Sequence, residues 1–366
     1  MGWTILFGRV AGTEIKVHLT FFILVAFWAM AGYREGGAPG ALLAILSLLA
    51  LFACVLLHEF GHILMARRFG VRTPDVILLP IGGVARLERI PEEPRQELLI
   101  ALAGPAVTLA IVVVLYLVLA LSGPSPSLWG LKPAGPFLEN LMRVNLYLLV
   151  FNLFPAFPMD GGRVLRAVLA SKLGLVAGTR VAARLGQAFA VVAGFYGLTA
   201  GEPILLLVSL FVFLGAGAEA AAVETRAAGA GLNAGQMMVT HFRTIPIHAT
   251  LADAVEMLLS GEQREFPVVD NSGRVEGILT RDHIIKGLSQ RGQGSTVGEA
   301  MAAEAPMVAP TLGFQESLER LRASGLPALP VVDAGGRLVG LLTMDNITDL
   351  LLVRRAGSPM AMPLSP

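Results

Sequence analysis

Long apolar segments alternate with short polar ones over roughly the first 223 residues, and the pattern then changes. An apolar run of about 20 residues is long enough to cross a bilayer as a helix. Such runs occupy residues 17–32, 40–67, 98–121, 137–154, 181–200 and 204–223. The pattern predicts a polytopic α-helical membrane protein with about six transmembrane helices, followed by a domain of a different class.

Composition agrees with a membrane location. The chain is 54% hydrophobic and only 15% charged, whereas soluble domains carry about 25% charged residues. The net charge is +1, and no basic segment interleaved with aromatic residues is present, so we expect no nucleic-acid partner. The single cysteine, Cys54, lies in an apolar run, which excludes a disulfide framework and a cysteine-based metal site.

Lysine and arginine near the ends of the apolar runs predict the orientation. Six arginines follow the second run between residues 67 and 95, and five basic residues lie between residues 163 and 184. The opposite loops, residues 33–38 and 122–136, carry one arginine and one lysine. Because basic residues accumulate on the cytosolic side, we expect a multi-pass protein of the cell (inner) membrane with both termini in the cytosol.

The segment after residue 228 is soluble in composition and contains a tandem repeat. Each copy predicts a helix, a short strand, a helix and a β-hairpin; FPVVDNSGRVEGILT in the first copy matches LPVVDAGGRLVGLLT in the second. We therefore predict a membrane domain at residues 1–228, repeats at residues 229–290 and 291–355, and a disordered tail at residues 356–366.

The second apolar run contains the motif His58-Glu59-x-x-His62. On a helix this spacing places two imidazoles one turn apart on one face, where they can bind one zinc ion beside a glutamate that acts as general base. Ionisable residues inside a membrane span are costly and usually functional. The motif and its location together predict a metalloprotease that works within the membrane.

A catalytic zinc site needs a third protein ligand, and Asp160 is the best candidate. Pro155 and Pro158 break a helix just before it. Irregular backbone at membrane depth is tolerated where it is buried in protein or lines a wet cavity, so a carboxylate there is well placed to face a metal. The alternative role for Asp160 is the N-cap of the helix predicted at residues 162–173.

These residues resemble the site-2 protease family of intramembrane zinc metalloproteases, peptidase family M50. His58-Glu59-x-x-His62 is similar to the first family motif, and Asn152-x-x-Pro155-x-x-Pro158-x-Asp160 to the second; the likeness covers residues 17–223. The resemblance implies that His58, His62 and Asp160 bind one Zn2+ and that Glu59 activates water.

The resemblance also implies roles in substrate binding. Asn152 would line the active site and help hold the substrate or the oxyanion. Gly82 and Gly83 look like the family's membrane-associated strand, which would pair with an unwound substrate; the alternative is a plain turn. The expected partners are a transmembrane protein substrate and the lipid bilayer.

The repeats resemble paired cystathionine-β-synthase (CBS) domains, which bind adenine nucleotides in clefts between repeats. By this resemblance Thr280 in one repeat and Thr343 in the other contact a nucleotide. Asp282 and Asp345 lie one residue before the position of the family's aspartate and would contact the nucleotide in a shifted geometry. The sequence departs from the family pattern because histidine and asparagine replace the aspartate that usually contacts the ribose, at His283 and Asn346. The alternative is a structural module or one that forms a homodimer.

The predicted function is hydrolysis of a peptide bond in or near a transmembrane segment of a substrate, with regulation by a ligand of the CBS pair. The competing hypothesis is a CBS-regulated transporter or channel with a bound metal. Glu59 discriminates between them, because transport gives no reason for a carboxylate beside two zinc-spaced histidines.

Overall fold

A computed structural model describes residues 3–80, 82–85, 93–123, 127–128, 130 and 136–357. The chain divides into two compact units, Met1–Val223 and Glu224–Pro366. The first unit is helical with one small sheet, and the second is an α/β module. The predicted fold class, an α-helical membrane protein with a C-terminal α/β CBS pair, is confirmed.

The first helix, α1 (Leu19–Arg68), consists of two antiparallel arms. Helical geometry is interrupted at Gly36 and Gly37, where Gly37 has φ 61° and ψ −149°, a conformation open essentially to glycine. A straight helix of 50 residues would be about 75 Å long. Instead, the rings of Phe21 and Phe52 lie 4.7 Å apart. The arms correspond to the first two predicted spans.

The remaining helices of this unit follow the other apolar segments: α2 (Pro94–Ser122), α3 (Phe137–Asn152), α4 (Asp160–Leu173), α5 (Leu175–Ala200) and α6 (Pro203–Gly229). Among the described residues, four helices are long and apolar enough to cross a membrane, namely α1, α2, α5 and α6. Because α1 has two arms and α3 has only 16 residues, the exact number of crossings stays a prediction.

Two strands before α1 and two strands after it form one four-stranded sheet. The hydropathy pattern did not predict the first hairpin of this sheet. The order is β1 (Thr4–Val10), β2 (Thr13–His18), β3 (Asp75–Leu79) and β4 (Gly82–Ala85), with β2 and β3 parallel and the other pairs antiparallel. Buried and half-buried residues alternate along β2. The hydropathy of so short an alternating segment is averaged away in a window of about 20 residues. The strand β4 lies at one edge of the sheet.

The second unit contains two hairpin repeats. The first comprises α7 (Ala234–Met237), β5 (Ile245–Pro246), α8 (Leu251–Leu259), β6 (Glu265–Val269), β7 (Val275–Thr280) and α9 (Arg281–Arg291). The second comprises α10 (Val297–Ala300), α11 (Phe314–Ser324), β8 (Ala328–Val332), β9 (Leu338–Thr343) and α12 (Met344–Gly357). Both hairpins are antiparallel as predicted. Residues 358–366 of the predicted disordered tail lie outside the described residues.

The two hydrophobic cores of this module do not follow the sequence repeats. Met237, on the opening helix of the first repeat, packs in the core of the second repeat with Leu329 and Leu342. Conversely, Val297 on α10 packs in the core of the first repeat with Phe266. Each repeat therefore lends its opening helix to the other.

This exchange predicts the effect of truncating Met237, which is fully buried. Met237→Ala should lower the free energy of unfolding of the fragment 224–357 by about 2–5 kcal/mol, because it leaves a cavity in the second core. Chemical denaturation measures the change. Met307→Ala is the matched control, since Met307 is 44% exposed; equal losses in both variants would contradict the exchange.

Candidate metal centre

The two histidines of the HExxH motif and Asp160 meet at one point in the membrane unit. Nε2 of His58 and Nε2 of His62 lie 3.1 Å apart, and each lies 3.2 Å from Oδ2 of Asp160. All three side chains are buried. The predicted set is thus brought together across 102 residues of sequence between His58 and Asp160.

The size of this triangle fits a zinc ion. Ligand atoms about 2.0–2.1 Å from a tetrahedral zinc are separated by about 3.3 Å from one another. The three observed separations are close to that value, and two imidazoles with one carboxylate are a donor set that zinc accepts in catalytic sites.

The neighbouring helix α2 orients both imidazoles. Nδ1 of His62 lies 2.7 Å from the backbone oxygen of Ile100; a carbonyl only accepts, so Nδ1 donates. Nδ1 of His58 lies 2.8 Å from Oγ1 of Thr108, which itself donates to the oxygen of Gly104. Both rings therefore carry their proton on Nδ1 and present the Nε2 lone pair to the site, as histidines that bind metals do when the other ring nitrogen donates to a neighbouring acceptor.

Gly104 leaves the space that the ligands occupy. A Cβ at this position would lie 2.2 Å from Nε2 of His62 and 2.7 Å from Nε2 of His58. No side chain is compatible with these distances. The glycine of the segment Ala103-Gly104-Pro105 therefore lets the backbone of α2 approach the imidazoles closely.

A turn between α3 and α4 positions Asp160. The N-cap of α4 is Met159, and no side chain caps this helix, so Asp160 does not play the alternative role of N-cap. A Cβ on Gly161 would lie 2.2 Å from the oxygen of Phe154. The first turn of α4 thus packs tightly against the preceding chain and holds the Asp160 carboxylate toward the histidines.

Glu59 lies beneath the edge strand β4. A Cβ on Gly83 would lie 2.7 Å from Cγ of Glu59 and 3.3 Å from its Oε1. Gly82 and Gly83 form β4 rather than a plain turn. Asn152 is the last residue of α3 and is half-buried, eight residues before Asp160.

The residues singled out in the repeats lie at two helix starts. Thr280 and Thr343 accept hydrogen bonds from the backbone of His283 and Asn346, at 3.2 and 3.1 Å. Asp282 and Asp345 are exposed in the first turns of α9 and α12.

The strand ends of the two repeats lie close together. Glu265 is opposite Thr280 in the register of β6 and β7. Burial, and then the charge of Asp345, raise the pKa of Glu265. Asp345 of the second repeat is therefore close enough to the strand end of the first for its charge to act on Glu265.

Comparison with known proteins identifies the family. The model of peptidase family M50 matches residues 46–132 and 127–193, and the CBS-domain model matches residues 234–290 and 297–353. The zinc metalloprotease MJ0392 of Methanocaldococcus jannaschii is 33% identical over 95% of this chain and 96% of its own length. The chain belongs to peptidase family M50.

Other relatives of this M50 protein also align over most of its length. Rip3 of Mycobacterium tuberculosis is 28% identical over 96% of this chain and 94% of its own. The solved site-2 protease of Methanocaldococcus jannaschii is 37% identical and covers 60% of this chain and 95% of its own, with a TM-score of 0.45. The predicted metalloprotease activity and the CBS pair are confirmed.

Sequence reasoning missed the residues that support the predicted ligands. Thr108 and the carbonyl of Ile100 carry no motif of their own, and only their spacing on one face of α2 indicates a common role. Arg163, half-buried on α4, lies within electrostatic reach of Glu59 and Asp160. In the sequence, Arg163 indicates only the membrane orientation.

Thr108→Val removes the acceptor for Nδ1–H of His58 while preserving the shape of the side chain. We expect zinc affinity to fall about 10- to 100-fold, the usual cost of losing a group that hydrogen-bonds a metal-binding histidine. Competition with a chromophoric chelator measures the affinity. Thr179→Val is the matched control, because Thr179 is equally buried and bonds only to its own helix. An unchanged affinity in Thr108→Val would contradict the orienting role.

Proposed function

We propose that this M50 metalloprotease cleaves a peptide bond in or near a transmembrane segment of a membrane-protein substrate. The observation that carries the proposal is the triangle of His58, His62 and Asp160, with Glu59 beside it under an edge strand. A metal-binding transporter would need no such carboxylate, so the geometry favours hydrolysis.

The ligands assigned to zinc are His58, His62 and Asp160. When bound there, zinc supplies a Lewis acid that polarises the scissile carbonyl and acidifies the attacking water. Glu59 accepts a proton from that water and later donates it to the leaving amine. Asn152 is assigned to the active-site wall, where its amide holds the substrate or donates to the developing oxyanion.

The edge strand β4 is assigned to substrate presentation. A transmembrane helix shields its own carbonyls by hydrogen bonding, so a substrate has to unwind before hydrolysis. An unwound segment can add to a sheet edge by β-augmentation. Gly82 and Gly83 form that edge next to Glu59, and backbone without side chains lets an extended segment come close to the carboxylate.

The location in the cell is part of the proposal. The bias of basic residues supports a multi-pass protein of the cell (inner) membrane with the CBS pair in the cytosol. The boundaries at residues 228/229, 290/291 and 355/356 stay predictions, as does a homodimer through the CBS domains. Exposed apolar residues on α9 and α12 support such a dimer: Ile285, Leu352 and Val353.

The CBS pair is proposed to bind an adenine nucleotide and to regulate cleavage. Exposed Asp282 and Asp345, each two residues after a capping threonine, support contacts to ribose hydroxyls. Regulation requires different affinities for two states of the protein.

Glu59→Gln tests the catalytic assignment. We expect the cleavage rate of a single-span substrate to fall at least about 100-fold, because the amide cannot accept the proton of water, while zinc content stays at one ion per chain. Gel-based cleavage in detergent and elemental analysis measure the two quantities.

Glu202→Gln, at an exposed position between α5 and α6, is the matched control. Equal cleavage by Glu59→Gln and wild type would remove Glu59 from the mechanism. If His58→Ala and Asp160→Ala both keep their zinc, the assigned ligand set is wrong.

Calorimetry of the full-length protein with ATP, ADP and AMP tests the regulatory proposal. We expect saturable binding that Asp282→Asn or Asp345→Asn weakens, together with a nucleotide-dependent change in cleavage rate. No binding heat and a cleavage rate indifferent to all three nucleotides would leave the CBS pair a structural module.

A further inference from the structure

Three charged side chains form a buried cluster away from the ligand triangle. Arg166 on α4 donates from Nε to Oε1 of Glu97 on α2 at 2.6 Å, and from Nη1 to Glu219 on α6. The side chains of Arg166 and Glu97 are 2% and 5% exposed, and that of Glu219 is 28% exposed. One guanidinium therefore connects three helices of the membrane unit.

Stability alone does not explain such a cluster. Removing charges from water costs as much as, or more than, their attraction returns, so a buried ion pair is weak support for stability. What a guanidinium does provide is geometry, because its planar fork binds carboxylates in a fixed direction. The cluster is better suited to setting the relative position of helices than to holding the fold together.

The position of Glu97 on α2 connects the cluster with the histidines. Glu97, Ile100, Gly104 and Thr108 follow one another at spacings of three, four and four residues, so they lie on one face of the helix, and all four are buried. On this face, the backbone oxygen of Ile100 accepts a hydrogen bond from His62, and the hydroxyl of Thr108 accepts one from His58. Gly104 leaves room for both imidazole rings. Anchoring Glu97 therefore fixes the height and rotation of the face that supports both imidazoles.

The position of Arg166 on α4 connects the cluster with the carboxylate ligand. Asp160 lies six residues earlier, about 9 Å along the helix axis. The guanidinium also lies over the ring of Phe157, 5.1 Å from its centroid, and Phe157 belongs to the turn that leads into Asp160. Arg166 thus contacts both α2 and the turn that precedes Asp160.

We propose that Arg166 is a positioning residue that sets the distance between Asp160 and the two histidines by locking α4 to Glu97 of α2 and Glu219 of α6. The proposal rests on the assignment of His58, His62 and Asp160 as zinc ligands. Without the lock, α2 and α4 are free to shift against each other, and the three ligand atoms lose their common distance of 3.1–3.2 Å.

Zinc affinity of the purified full-length protein in detergent tests the proposal, measured by chelator competition alongside cleavage kinetics. For Arg166→Gln we expect a zinc dissociation constant about tenfold higher, with a lower kcat and an unchanged KM. Arg166→Lys keeps the charge but loses the fork, so it should give an intermediate affinity.

Arg143→Gln is the matched control. Arg143 is also fully buried, pairs with Glu139 and donates to the oxygen of Ser127 at 2.8 Å. It lies on α3, and its side-chain partners are Glu139 and Asn140 of the same helix and the backbone oxygen of Ser127. We expect Arg143→Gln to lower the unfolding temperature while leaving zinc affinity within twofold of wild type.

The proposal would be overturned if Arg166→Lys and Glu219→Gln bind zinc within twofold of wild type. The ligand set would stay intact in that case, provided that zinc binding by the wild type depends on His58. These two milder variants decide the question if Arg166→Gln does not fold. An equal loss of affinity in Arg143→Gln would also overturn it, because any buried arginine would then serve. Absence of zinc from the wild type would instead contradict the ligand set itself.

Discussion

The close approach of α2 to the second arm of α1 is the constraint on which the metal centre depends. Each helix places a glycine at this contact, Gly61 on α1 and Gly104 on α2. A Cβ on Gly61 would lie 2.7 Å from the oxygen of Ala103, and one on Gly104 would overlap both imidazoles. Small residues let helix backbones approach closely in membranes, where hydrophobic association is weak. The same contact brings the hydrogen-bonding groups of α2 within reach of the histidines.

The polar groups at the ligand triangle and at Arg166 pair with one another in an apolar environment. The imidazoles donate to α2, the Asp160 carboxylate faces both imidazoles, and Arg166 binds two glutamates. Each of these groups would cost several kcal/mol if buried without a partner. The chemistry and the packing are therefore coupled, because moving one helix leaves charged or polar atoms unpaired on several others.

The C-terminal module depends on a different device, the exchange of opening helices. Backbone hydrogen bonds join Val239 to Leu341 and Ile278 to Ala302 in both directions, so a segment of each repeat pairs with a strand of the other. The repeats thus form one cooperative body, in which a ligand between them would act on both cores. This explains why sequence repeats and hydrophobic cores do not share boundaries.

The amino-acid sequence determined what depends on local periodicity. The helical repeat places His58 and His62 on one face, long apolar runs indicate membrane helices, and the tandem hairpins are visible in two matching segments. Together with its family motif, the proline-broken segment indicated Asp160 as well. The short hairpin of β1 and β2 was not predicted, because a window sized for a membrane span averages over strands of only six or seven residues.

Only the tertiary structure decided which atoms meet the ligands. Thr108 and the Ile100 carbonyl lie 50 and 38 residues from the histidines they orient, and Arg166 lies 69 residues from Glu97. Such pairs have no fixed spacing, because they arise where helices cross rather than along one helix. Sequence periodicity specifies which face of a helix is polar; the packing of α1, α2, α4 and α6 specifies which polar face it meets.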